Sequence, residues 1–144
     1  MSTTVPTKIG LVGCGNISGI YFANLTGNFK GAEIVACADL DPARAEAVAN
    51  AKNENGEPVH PNVNAMALDD IYKDPDIEII LNLTIPIAHH PVGMLALQNG
   101  KHVYGEKPFA VSREQGRELL DTAAANGLRT GSAADTFLGA GIQT

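Results

Sequence analysis

Three groups of residues in this chain have types and spacings that could do chemistry. The first is Gly13-Cys14-Gly15-Asn16-Ile17-Ser18, with two glycines and a small residue in the order Gly-x-Gly-x-x-small. Backbone amides at such a turn can cradle a phosphate. The first N–H groups of a helix have no partner inside it, and the helix dipole is positive at that end. Gly13 would allow the tight turn, and Gly15 would keep side-chain atoms away from an approaching pyrophosphate. Ser18 is small enough to let the helix pack closely on the strand. Taken alone, the motif is also what an ordinary strand-to-helix turn looks like. The second group is Asp39, which closes an apolar run about 20 positions later. A carboxylate there can hold both hydroxyls of a ribose. The third is Glu106-Lys107-Pro108, a carboxylate, an ammonium and a restricted backbone at the end of another apolar run. A Lys before Pro admits a cis peptide bond. Composition alone reads this third group as a surface turn carrying a solvated ion pair.

The elements that must position these residues can be read in order. Ile9 to Val12 forms a strand that stops at Gly13, and Ile17, Ile20, Tyr21 and Leu25 recur at helical spacing beyond it. Glu33 to Ala38 is a second strand, ending in Asp39. Asp41 can cap a helix that starts at Pro42, with Ala45, Val48 and Ala49 on its apolar face. Glycine loop, helix, second strand and terminal acid make one βαβ unit with the order of a dinucleotide site. Asp39 would repel a 2′-phosphate, and Arg44 is the only nearby cation, so NAD is favoured over NADP. A polar loop spans 52–62, with His60 expected in solvent. A short strand at 63–67 and helical turns at 68–72 follow. The run Ile77 to Leu83 is nearly all apolar, as expected of a central parallel strand covered on both faces. Its loop, 84–91, would pass beside the cofactor, with Thr84 and Pro86 shaping the backbone. His89 reads equally as a helix-entry residue or a cofactor-side one. A helix is expected from Pro91 to Gly100, and a strand from Lys101 to Tyr104. Ser112 to Gln115 forms a capping box that opens a helix ending at Gly127. Leu128 to Ser132 forms a sixth strand with Asp135 just past its carboxyl end. The fold class is α/β, a doubly wound parallel sheet in three αβα layers.

Composition narrows the function further. A chain of 144 residues with 44% apolar content is expected to form one domain with a real core. A net charge of −6 and a pI near 5.0 argue against nucleic acid and anionic membranes as partners. No run approaches a transmembrane span, and the Met1–Thr7 leader lacks a secretory apolar core. A cytoplasmic location is the default expectation. Cys14 and Cys37 lack metal-ligand spacing and read as small core residues, so no metal is expected.

Taken together, the motifs resemble the Gfo/Idh/MocA family of NAD(P)-dependent oxidoreductases. The matching residues are Ile9-Gly10-Leu11-Val12-Gly13-Cys14-Gly15-Asn16-Ile17-Ser18, Asp39, Thr84-x-Pro86-x-x-His89, and Asn99-Gly100-Lys101-His102-Val103-Tyr104-Gly105-Glu106-Lys107-Pro108. The resemblance covers nearly the whole chain and implies a Rossmann domain over 1–144. It implies cofactor contacts from Gly13, Gly15, Asn16, Ile17, Asp39, Thr84, Pro86, His89, Glu106 and Asp135. Lys107 would lie near the nicotinamide and the reacting hydroxyl of a sugar- or polyol-like alcohol, and so would act as the catalytic residue. Members of the family continue into a second α/β domain that carries most of the substrate site. The resemblance therefore implies a cofactor half that binds the dinucleotide without turnover. The other reading is a stand-alone nucleotide module or a subunit of a partner chain. A methyltransferase of the same fold would use Gly13, Gly15 and Asp39 but has no role for Glu106-Lys107-Pro108. The apolar tail at 137–142 and the surface a second domain would cover point to self-association, as a dimer.

Overall fold

In the computed structural model, which describes residues 5–133, every strand of the sheet runs parallel to its neighbours. Six strands lie in the order β3-β2-β1-β4-β5-β6. They are β1 (Thr7–Val12), β2 (Ala32–Ala38), β3 (Asn64–Ala65), β4 (Ile79–Asn82), β5 (His102–Gly105) and β6 (Thr130–Ser132). The helices are α1 (Ser18–Ala23, continued by a π-helical segment at Asn24–Asn28), α2 (Pro42–Ala49), α3 (Leu68–Lys73), α4 (Pro86–Gln98) and α5 (Arg113–Ala125). The chain winds outward from β1 in one direction, returns through α3, and winds outward from β4 in the other. The reversal falls between β1 and β4, where a doubly wound sheet opens a crevice at its carboxyl ends. Among the described residues, no helix is long and apolar enough to cross a membrane.

Alternate residues of the central strands feed two cores. Leu11, Ile34, Cys37 and Leu81 pack with Phe22 of α1 and Ala45 of α2 on one face. Val12, Ala36, Ala38 and Ile80 pack with Ile71 and Tyr72 of α3, Leu97 of α4 and Leu119 of α5 on the other. Both faces of β1, β2 and β4 are thus covered, which is why these strands read as continuous apolar runs. The predicted caps form: the Asp41 carboxylate accepts from the Ala43 amide at 3.1 Å, and the Ser112 hydroxyl accepts from the Gln115 amide at 3.3 Å. The return half of the capping box does not form, since the buried Gln115 Oε1 has no partner among the described residues.

Four expectations need correction. The inward face of α1 is Ser18 and Phe22, whereas Ile17 and Ile20 are exposed. Helix α4 starts at Pro86, not Pro91. Proline suits a first helical position because its missing N–H has no acceptor there. Pro91 then lies inside the helix, where its lost bond would have gone to Ile87, an exposed residue whose carbonyl water can satisfy. His60 is half-buried rather than fully in solvent: its ring lies tilted against Phe22 with centroids 4.6 Å apart, and burial lowers its pKa. The third strand shrinks to Asn64–Ala65.

Candidate functional site

The glycine loop lies at the carboxyl end of β1, against the start of the β4–α4 loop. Gly13 has φ +102°, and a Cβ placed on it would come within 2.7 Å of the Leu83 carbonyl group. Only glycine lets β1 turn this close to β4. Gly15 differs: a Cβ there meets nothing within 4 Å and would project into open space. The Gly13 amide donates to Ala38 and the Cys14 amide to Asp39, while the Ser18 amide closes back on Gly15. Between them, the amides of Gly15, Asn16 and Ile17 have no hydrogen-bond partner among the described residues. Three adjacent N–H groups at the start of a helix beside a side-chain-free position suit an anionic oxygen. This pocket therefore fits the pyrophosphate of a dinucleotide.

Asp39 is tied into the same loop. One carboxylate oxygen accepts from the Cys14 amide at 2.8 Å and the other from the Asp41 amide at 2.9 Å. Each oxygen keeps a lone pair for a ribose hydroxyl, so the residue can fix the loop and bind sugar together. A cavity of about 440 Å³ opens beside it, lined by Gly13, Gly15, Leu40, Arg44, Tyr72 and Thr84 among others. Its walls are largely apolar, as a purine ring requires. Burial, and after it the Asp69 carboxylate, push the Tyr72 phenol up to about 12, so it stays a neutral donor. Arg44 is exposed at the rim and leans toward Asp41 at 3.8 Å. Cys14 and Cys37 are buried, and their thiols donate to the Ala38 and Ala45 carbonyls. The neighbouring Cys37 thiol, and then burial, push the Cys14 thiol up, as for a core residue.

The loop after β4 is built by Asn82, which is 2% exposed. Its Oδ1 accepts from the Thr84 hydroxyl at 2.6 Å, and its Nδ2 donates to the His89 carbonyl at 3.0 Å. Thr84 therefore spends its hydroxyl on the loop itself, and Pro86 only starts α4. His89 is also turned inward, 4% exposed. Its Nδ1 lies 2.6 Å from the Pro108 carbonyl and its Nε2 lies 2.9 Å from the Thr84 carbonyl. Both ring nitrogens thus face backbone oxygens and neither faces the crevice. His90 packs outward, 2.8 Å from Glu118 of α5.

Glu106 and Lys107 leave the end of β5, two strands from β1 and about 10 Å across the sheet. The Lys107–Pro108 bond is cis. The Glu106 amide donates to the Asn82 carbonyl, and its carbonyl accepts from the Ser132 hydroxyl. Its carboxylate accepts from the Tyr21 hydroxyl at 2.6 Å and from the Lys107 amide at 3.2 Å. The Lys107 side chain is exposed, and its ammonium has no ion-pair partner among the described residues. The solvated Glu106–Lys107 ion pair suggested by composition is therefore absent. Lys101, of the same sequence block, is at the other end of the sheet. It is 7% exposed, and its ammonium donates to the Ile77 carbonyl at 2.7 Å. Asp135 lies outside the described residues.

The sheet order, the bare glycine turn and the acid closing β2 define a doubly wound dinucleotide-binding domain. A family model described as "Oxidoreductase family, NAD-binding Rossmann fold" matches residues 7–133. The chain belongs to this Gfo/Idh/MocA oxidoreductase family. An inositol 2-dehydrogenase of Ralstonia nicotianae is 31% identical over 122 residues, covering 85% of this chain and 34% of that protein. A glycosyl hydrolase family 109 protein of Shewanella amazonensis is 31% identical over 119 residues, 81% of this chain and 26% of that protein. Among solved structures, myo-inositol dehydrogenase of Lactobacillus casei in complex with NAD(H) and myo-inositol superposes with a TM-score of 0.82 at 25% identity. That match covers 96% of this chain and 40% of that one. The chain thus spans about a third of the length of the relatives it matches.

Proposed function

We propose that this chain is the cofactor-binding part of an oxidoreductase that moves a hydride between NAD and a sugar- or polyol-like alcohol. The observation that carries this is the bare Gly15 position, with three free amides, beside the doubly tethered Asp39. In this reading the amides of Gly15, Asn16 and Ile17 hold the pyrophosphate, and Asp39 holds the adenosine ribose. Leu40 and Thr84 flank the purine side. The nicotinamide, when bound, supplies the hydride acceptor or donor. Lys107 would hold the reacting oxygen: its Nζ would hydrogen-bond the oxyanion that forms as the hydroxyl proton is released ahead of hydride transfer in oxidation, or as hydride reaches the carbonyl carbon in reduction, and so stabilise the transition state. Glu106 lines the same end of the crevice, and Asp135, past β6 in the sequence, is a further cofactor contact in this proposal.

NAD is preferred over NADP because the Asp39 carboxylate would meet a 2′-phosphate, and Arg44 already leans on Asp41. Residues 1–144 bind cofactor without turnover in this proposal, since the relatives' chains are about three times longer. The chain associates as a dimer through apolar surface around the last strand, where Tyr104 of the neighbouring β5 is exposed. The Shewanella relative favours a second reading, a hydrolytic net reaction built on the same domain. Calorimetric titration with NADH and NADPH tests the binding claim. Saturable NADH binding, at least tenfold tighter than NADPH, is expected; tighter NADPH binding, or none of either, overturns it.

A further inference from the structure

We propose that Tyr21 is a positioning residue for Lys107, acting through the Glu106 carboxylate. The inference rests on the reading of Lys107 as the group that meets the reacting oxygen. A side chain adjacent in sequence to a functional lysine would ordinarily compete for its charge. Here the Glu106 carboxylate is committed elsewhere. One oxygen takes the Tyr21 hydroxyl at 2.6 Å, the length of a charge-assisted O–H···O⁻ bond, and the other takes the Lys107 amide at 3.2 Å. The phenol thus fixes the carboxylate, and the carboxylate fixes the peptide plane from which the Lys107 side chain departs. The Lys107 ammonium is left without an ion-pair partner among the described residues, available to a ligand.

The bond also joins parts of the fold that strand pairing leaves apart. Tyr21 belongs to α1, whose start forms the phosphate loop, and Glu106 ends β5, 85 residues later. With β4 between β1 and β5, this contact spans the crevice from the phosphate side to the lysine side. The other supports of the turn are the Asn82 carbonyl, the Ser132 hydroxyl and the His89 ring, which come from the second half of the sheet or α4. Among these contacts, Tyr21 alone ties Lys107 to the glycine-loop half.

The test uses the 15N-labelled chain and the Lys107 amide as reporter. Tyr21→Phe keeps the ring and removes the hydroxyl. It is expected to speed exchange of the Lys107 amide about tenfold while the amides of Leu11 and Cys37 keep their protection. Glu106→Gln should do the same, and the double variant should add nothing further. NADH should shift the Lys107 resonance in the wild type. In Tyr21→Phe that shift should shrink while affinity stays within about twofold. Unchanged Lys107 exchange in Tyr21→Phe, or effects that add in the double variant, overturns the proposal. If Tyr21→Phe also deprotects β1 and β2, Glu106→Gln decides alone: a still-protected Lys107 amide there overturns it. An absence of NADH shifts in the wild type rejects the cofactor reading, and the exchange comparison then still decides whether Tyr21 orders this turn.

Discussion

Replacing each of the two loop glycines by alanine separates what folds the loop from what the loop does. At Gly13 the backbone has φ +102°, and a Cβ would approach the Leu83 carbonyl carbon and oxygen to 2.7 Å and the Thr84 amide to 2.9 Å. The left-handed backbone alone costs an L-residue about 1–2 kcal/mol. The clash is with backbone, which cannot rotate aside, so β1 and β4 must move apart at the centre of the sheet. A total of at least about 3 kcal/mol is expected, or roughly 10 °C in Tm for a chain of this size. At Gly15 a Cβ meets nothing within 4 Å. Gly15→Ala should melt at the wild-type temperature or slightly above, because alanine restricts the unfolded chain by about 0.4–1 kcal/mol. Its new methyl group occupies the space reserved for the pyrophosphate, so NADH affinity should fall at least about tenfold. Thermal melts and NADH titration of both variants provide the assay. A stable Gly13→Ala, or a Gly15→Ala that binds NADH as the wild type does, refutes the reasoning.

Three further outcomes follow from named contacts. Lys101→Met strips the Asp74 and Ile77 carbonyls of a buried ammonium donor and should cost about 3 kcal/mol in a denaturant melt without changing NADH affinity. His60 has its pKa lowered by burial against Phe22. Its contribution to stability is therefore present above the unfolded value near 6.5 and is lost as the pH falls toward the depressed folded value. His60→Gln should accordingly flatten the decline in Tm between about pH 7 and pH 5. Asp39→Asn keeps one acceptor oxygen and loses the charge. Calorimetry should show NADH binding weakened by about tenfold or more, with NADPH losing less.

Much of this architecture is visible in the sequence because the physics is local or one-dimensional. The apolar runs of β1, β2 and β4 are long because both faces are buried, and Asp41-Pro42 states its own helix start. Two prolines five residues apart defeat the same rule at α4. Pro86 and Pro91 are both good first residues, and the choice is made by Asn82, whose side chain binds Thr84 and the first turn. An asparagine inside the run Ile-Ile-Leu-Asn-Leu is the one signal that could have marked that tether. His60 sits in a polar loop, and nothing local says that Phe22 will lie against it. Tyr21 and Glu106 meet across 85 residues, a contact no periodicity encodes. The block from Lys101 to Pro108 reads as one motif, yet β5 runs through it, so Lys101 and Lys107 fall at opposite ends of the sheet.

The most direct measurement is a map of amide shifts as NADH is titrated into the 15N-labelled wild-type chain. Binding at the crevice predicts saturable shifts at Gly13 to Ser18, Asp39, Thr84 and Lys107, with Lys30, Asn62 and Lys101 at the far ends of the strands unmoved. Shifts centred on those far ends, or none at any concentration of NADH, would contradict it.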